Sequence, residues 1–163
     1  MDLYPWVVVI HVVAIFLFVL GHGVSSYAMF KVKAETDRAR LAALLDLSAT
    51  SLLTTLTTLI VALVAGIAAG IMGGHFGRWW IWISLVLLIA VGGVMTPLAA
   101  IPMNAVRATL GLRRAGDSKS EPPPPAGDGE LAAARAALRP QLVAALGISA
   151  IAVIIWLMEV KPF

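Results

Sequence analysis

Four long apolar runs dominate the chain, separated by segments where polar residues gather. They extend from about Tyr4 to about Phe30, about Leu47 to Gly73, about Trp79 to about Met103, and about Pro140 to Val160. Each exceeds the ~20 apolar residues that an α-helix needs to cross a hydrocarbon layer of ~30 Å. The pattern predicts an all-α membrane protein, a four-transmembrane-helix bundle that forms a single membrane domain over residues 1–163.

The polar segments modulate this picture. AETDRARLAALLDLS, after the first run, places Leu41, Leu44, Leu45 and Leu47 at helical spacing among polar residues. It reads as an extension of the second span or as an amphipathic turn on the membrane surface. Residues 115–130, rich in Pro, Gly and Asp, read as a disordered loop with a polyproline spacer at Pro122 to Pro125. LAAARAALR then reads as a short helix leading into the fourth span. The first run has no basic residue ahead of it and no clear small-residue cleavage site, so it is expected to be retained as a helix.

Composition agrees with the runs. Apolar residues make up 60% of the chain and charged residues 13%, against about a quarter charged in soluble domains. There is no cysteine, which excludes disulfides, thiolate metal sites and thiol catalysis. The net charge of +3 reflects bases placed just outside the apolar runs, an arrangement that orients a membrane protein rather than one that binds nucleic acid. Lys31, Lys33, Arg38 and Arg40 follow the first run, and Arg107, Arg113, Arg114, Lys119, Arg135 and Arg139 lie between the third and fourth. Arg78 and Lys161 alone fall on the other side. The positive-inside rule places both basic loops in the cytoplasm and both termini outside. All five tryptophans, Trp6, Trp79, Trp80, Trp82 and Trp156, fall at the expected outer ends, where indole prefers the headgroup layer.

Polar groups inside the runs are the candidates for chemistry and packing. Ala62, Gly66, Gly70 and Gly74 recur every four residues, a ridge that lets another helix approach closely. Pro97 predicts a kink in the third span. No acidic or basic side chain lies deep in a run, which argues against ion pumping, proton-coupled transport and voltage sensing. His11 and His22 lie within the first run, 11 residues apart on one face and separated by about 16 Å along the axis. One ligand set cannot hold both. His11 with His75, in the outer turn, is the pairing that would suit a haem, and His22 lacks a histidine partner. Met103 stands nearest His22 in expected depth. His11, Met72 and His75 offer imidazole and thioether donors to copper. The alternative is that His11 donates a hydrogen bond to a neighbouring helix. No Ser–His–acid or zinc-ligand spacing is present.

The opening YPWVVVIHVVAIFLFVLGHGVSSYAMFKVKAE, the segment TDRARLAALLDLS and the stretch GHFGRWWIWISLVLL resemble bacterial families of predicted integral membrane proteins of unknown function. Those are similar to the copper-resistance D type and to the HemJ-type protoporphyrinogen oxidase, with a histidine in the first span. His11 is the position that matches. The resemblance implies a multi-pass protein of the bacterial inner membrane, and haem or a related tetrapyrrole at His11. Together these readings give a small structural or accessory subunit, in lipid, as a homo-oligomer or within a larger membrane complex. The alternatives are a tetrapyrrole-binding redox protein or oxidase, and a copper-handling protein.

Overall fold

The computed structural model describes residues 2–162. Among them every regular element is helical. α1 runs Tyr4–Ala34, α2 Arg38–Met72, α3 Trp79–Met95, α4 Ile101–Thr109, α5 Asp128–Ala136 and α6 Pro140–Val160. A short 3₁₀ turn, His75–Gly77, precedes α3, and a π turn, Thr96–Ala100, joins α3 to α4. Four helical stretches are long and apolar enough to cross a membrane: Tyr4–Ala34, Arg38–Met72, Trp79–Thr109 and Asp128–Val160. The chain is therefore read as a multi-pass membrane protein.

Local chemistry sets the helix ends. Pro5 suits the first turn of α1, where its missing N–H costs nothing. Asp37 caps α2, its Oδ1 accepting from the Arg40 amide at 2.8 Å. Because that cap lies before Arg38, residues 38–46 form the first turns of α2 without a break. Gly74 takes φ +65, a left-handed conformation that reverses the chain between α2 and α3. Pro140 opens α6.

At the expected kink the third span changes its hydrogen-bond pattern. The Ile101 amide donates to the Thr96 carbonyl, five residues back. Pro97 lies within this widened turn and Pro102 just after it. Neither ring carries a donor, and each would press on the preceding turn of a regular helix. A wider turn relieves that crowding.

α1 and α2 are antiparallel along their full length. Ser25 meets Ser48, Gly21 meets Thr55 and His11 meets Ala62, so one number falls as the other rises. α3 and α6 form a second antiparallel pair, through Trp80 and Ile81 with Leu157. α1 and α6 join the pairs, at His22 and Gly147. The largest buried cluster lies at the basic end of the molecule, not midway along the spans. It contains Met29, Val32, Leu41, Leu45, Met103, Val106, Leu131, Leu138 and Val143, from α1, α2, α4, α5, α6 and the turn between the last two. In the most apolar stretch of each long helix only 11% to 22% of residues are fully buried.

Charged side chains tie α5 and the turn after it onto this cluster. Arg38 pairs with Asp128 at 2.8 Å and also donates to the Ala126 carbonyl. Arg135 donates to the carbonyls of Val32 and Lys33, and Lys33 donates to Leu138. The carbonyls of Val32 and Lys33 end α1, and cations satisfy such orphan acceptors well. Between α4 and α5, the Ala126 amide donates to Thr109, and Asp117 accepts from the amides of Lys119 and Ser120.

Candidate functional site

His11 sits in a seat made by α2. Its Nδ1 lies 2.7 Å from the Ala62 carbonyl oxygen. A carbonyl can only accept, so Nδ1 carries the proton of this bond. The ring lies against Gly66, where a Cβ would fall 2.7 Å from His11 Cε1 and 2.9 Å from Nδ1. Glycine is therefore required at 66 by the imidazole itself. The small-residue spacing brings the backbone close, and the histidine fills the room so made.

The remaining members of that ridge act differently. Ala62 is buried and supplies the carbonyl. Gly70 receives Phe76 and Ile81, with a Cβ there falling 2.9 Å from the Phe76 ring. Gly74 has open space around its Cα and contributes its backbone conformation. A further close approach lies on α1, at Gly21, where a Cβ would fall 2.6 Å from Thr55 Oγ1. The hydroxyls of Ser51, Thr55 and Thr58 donate to carbonyls of their own helix, and Ser25 and Ser48 bridge α1 and α2 at 2.7 Å.

His75 is engaged elsewhere. Its Nε2 lies 3.4 Å from Tyr4 Oη, and its ring meets Trp80 with centroids 5.7 Å apart. Tyr4 precedes His11 by about two turns, roughly 10 Å along α1. His75 is thus gathered into an aromatic cluster at the end of the span, a level above the seat of His11. Met72 is exposed. Among the described residues, no group of three or more His, Cys, Asp or Glu side chains is placed to hold a metal ion.

His22 faces α6, 3.2 Å from where a Gly147 Cβ would lie, and stacks on Phe18 with centroids 5.9 Å apart. The Met95 methyl lies 3.6 Å from the same point, so Gly147 brings His22 and Met95 together. Met103, expected at the depth of His22, packs instead in the cluster with Met29 and Val32. The reason is the register of α6 against α1 and α3, which brings Met95 beside His22 at Gly147.

Arg107 is a buried cation that sequence reading counts only as an orienting charge. It is 9% exposed, and it donates through Nη1 to Leu45 at 2.9 Å and through Nε to Arg113 at 2.6 Å. Its partners are both backbone carbonyls, 62 and 6 residues away. Nearby, Asn104 Oδ1 accepts from the Ala115 amide at 2.8 Å. These bonds fix the chain leaving α4 against α2. The Asn104–Arg107 spacing, one helical turn, is the only local sign of this in the sequence.

The histidines thus occupy three separate environments, and each nitrogen that finds a partner finds one that also serves helix packing. Comparison with protein-family models, curated proteins and solved structures returns no match for this chain.

Proposed function

We propose that this is a structural or accessory subunit of the bacterial inner membrane, with four spans and both termini outside. The observation that carries the role is the thin burial within the spans. The chain uses little of its apolar surface on itself, with 11% to 22% of those apolar stretches fully buried, while its basic end is densely packed and cross-bonded. Such surface is covered by lipid, by further copies or by a larger complex. The orientation rests on the bases at the cluster end and the tryptophans at the opposite end. Cross-linking in intact membranes, followed by native electrophoresis in mild detergent, tests the role. Discrete adducts with another membrane protein or with further copies support it, and a chain that remains monomeric at every cross-linker length overturns it. Reporter fusions after Leu110 and Phe163 test orientation; a cytoplasmic signal from the second rejects it.

A second reading, a tetrapyrrole-binding redox protein, draws on one observation. A His whose Nδ1–H is held by a backbone carbonyl has its ring orientation fixed and its Nε2 left for another partner, an arrangement common among metal-ligating histidines. In that reading His11 would hold the iron of the tetrapyrrole, which would supply redox chemistry, while α2 would orient the imidazole. A copper-handling role through His11, Met72 and His75 has less support, because Tyr4 and the Trp80 ring engage His75 at a different level.

A further inference from the structure

At the basic end, a cleft opens between the last turns of α1 and the first turns of α2. Tyr27, Lys31, Glu35, Arg40 and Leu44 line it. Lys31 stands over the Tyr27 ring, 5.3 Å from its centroid, and has no carboxylate within ion-pair distance among the described residues. Arg40 reaches Glu35 only at 3.9 Å and keeps most of its side chain in solvent. The Glu35 carboxylate is committed on its other oxygen, which accepts from the amides of Thr36 and Asp37 at 2.9 and 3.1 Å. The cleft therefore carries an excess positive charge, with two cations on facing helices and donors to spare.

Its position is as informative as its charge. Tyr27 is 63% exposed and marks the level at which the apolar face of α1 gives way to lysines. One turn from Leu44, toward the middle of α2, Leu47 is exposed as well. A ligand in this cleft meets cations at one end and an apolar, aromatic wall at the other. Lipids with a phosphate head and acyl tails have that layout, and a soluble anion has only half of it.

We propose that this cleft seats an anionic phospholipid, its phosphate between Lys31 and Arg40 and its acyl chains along Tyr27, Leu44 and Leu47. The amino and guanidinium donors approach the phosphate from opposite helices, and the single Glu35 carboxylate, 3.9 Å from Arg40, does not neutralise the pair. The bound lipid would clamp the α1–α2 turn that begins the cross-bonded end of the molecule. The proposal rests on the membrane reading, and is independent of orientation and of the subunit role.

The test uses delipidated full-length protein in a neutral detergent, with binding read by native mass spectrometry and thermal unfolding. Phosphatidylglycerol, phosphatidylcholine of the same acyl chains, and inorganic phosphate are the probes. Phosphatidylglycerol should bind in preference to phosphatidylcholine and raise the unfolding temperature, while inorganic phosphate should do neither. Lys31→Gln and Arg40→Gln should each weaken binding about fivefold. Lys31→Arg should restore it, and the Lys119→Gln control, which removes the same single charge, should match wild type. Both altered side chains project from the helices into solvent, and retained helical circular dichroism establishes that each variant folds. Equal binding of the two lipids, equal loss in the control, or phosphate binding as tightly as lipid overturns the proposal. A wild type that stays dispersed without detergent would instead reject the membrane reading on which it rests.

Discussion

His11 donates its Nδ1–H to the carbonyl of Ala62, 2.7 Å away across the α1–α2 interface, and lays its ring on Gly66. The bond and the glycine form one device. An imidazole in hydrocarbon needs a partner, and a backbone carbonyl is within reach only where the facing helix has no side chain.

His11→Ala should therefore cost about 1 kcal/mol, since hydrogen bonds between membrane helices average about 0.6 kcal/mol and some packing is lost as well. Gly66→Leu should cost more, about 2 kcal/mol, through overpacking. Reversible unfolding in mixed micelles measures both. In His11→Ala the penalty for Gly66→Ala should shrink, because the ring it strikes is gone. Equal penalties in both backgrounds would show that the ring is not seated there.

A second close approach gives an independent check. Gly21→Ala would place a methyl 2.6 Å from Thr55 Oγ1 and should destabilise the α1–α2 pair by about 1–3 kcal/mol. Thr55→Ala should relieve much of that cost. A double-mutant cycle by micelle unfolding should yield a coupling of at least about 0.5 kcal/mol. Strict additivity would contradict the contact.

Arg107→Ala removes the buried bond to the Leu45 carbonyl and the part-buried bond to the Arg113 carbonyl that together hold the chain leaving α4 against α2. A loss of about 2–4 kcal/mol is expected, because hydrogen bonds from a charged donor contribute about 1.5–3 kcal/mol each. Arg107→Lys should recover less than half, since one ammonium cannot serve two acceptors set apart for a planar fork. Stability and proteolysis of the segment after Thr109 would report the effect together.

How much of this is readable in advance differs from element to element. The apolar runs announce the four long helices because length and hydropathy act locally. Gly66 and Gly70 are recognisable as sites of close approach because the period of the helix sets which residues share a face. The side chain that fills each approach is another matter. His11 is 51 residues from Ala62, and only the α1–α2 register decides that the imidazole, rather than a neighbouring valine, meets that carbonyl. Arg107 shows the same difficulty at the basic end: by sequence it is one orienting charge among several, and its burial depends on where α2 lies. Met103 reads as lying near the depth of His22, but the register of α6 against α1 and α3 brings Met95 beside His22 at Gly147, and Met103 packs in the basic-end cluster.

The turn at Asp117 predicts a pH dependence. Its carboxylate accepts from the Lys119 amide and from Ser120, which hold its pKa below the ordinary value of 3.8. A carboxyl with a depressed folded pKa stabilises its turn above the unfolded pKa and loses that contribution as pH falls through the folded one. Protection of the Lys119 and Ser120 amides, taken relative to their intrinsic exchange rates, should hold down to about pH 4 and fall on further acidification. Asp117→Asn should flatten the profile. Protection lost between pH 7 and 5 would contradict the assignment.

The central claim is that His11 serves the α1–α2 contact rather than a cofactor, and an absorption spectrum tests it most directly. Wild type and His11→Ala are purified from cells supplied with haem precursor, and haem is then titrated into each. The account predicts no Soret band in either protein, no saturable haem binding, and a lower unfolding temperature for His11→Ala. A Soret band present in wild type, lost in His11→Ala and kept in His22→Ala would contradict it and establish the tetrapyrrole reading.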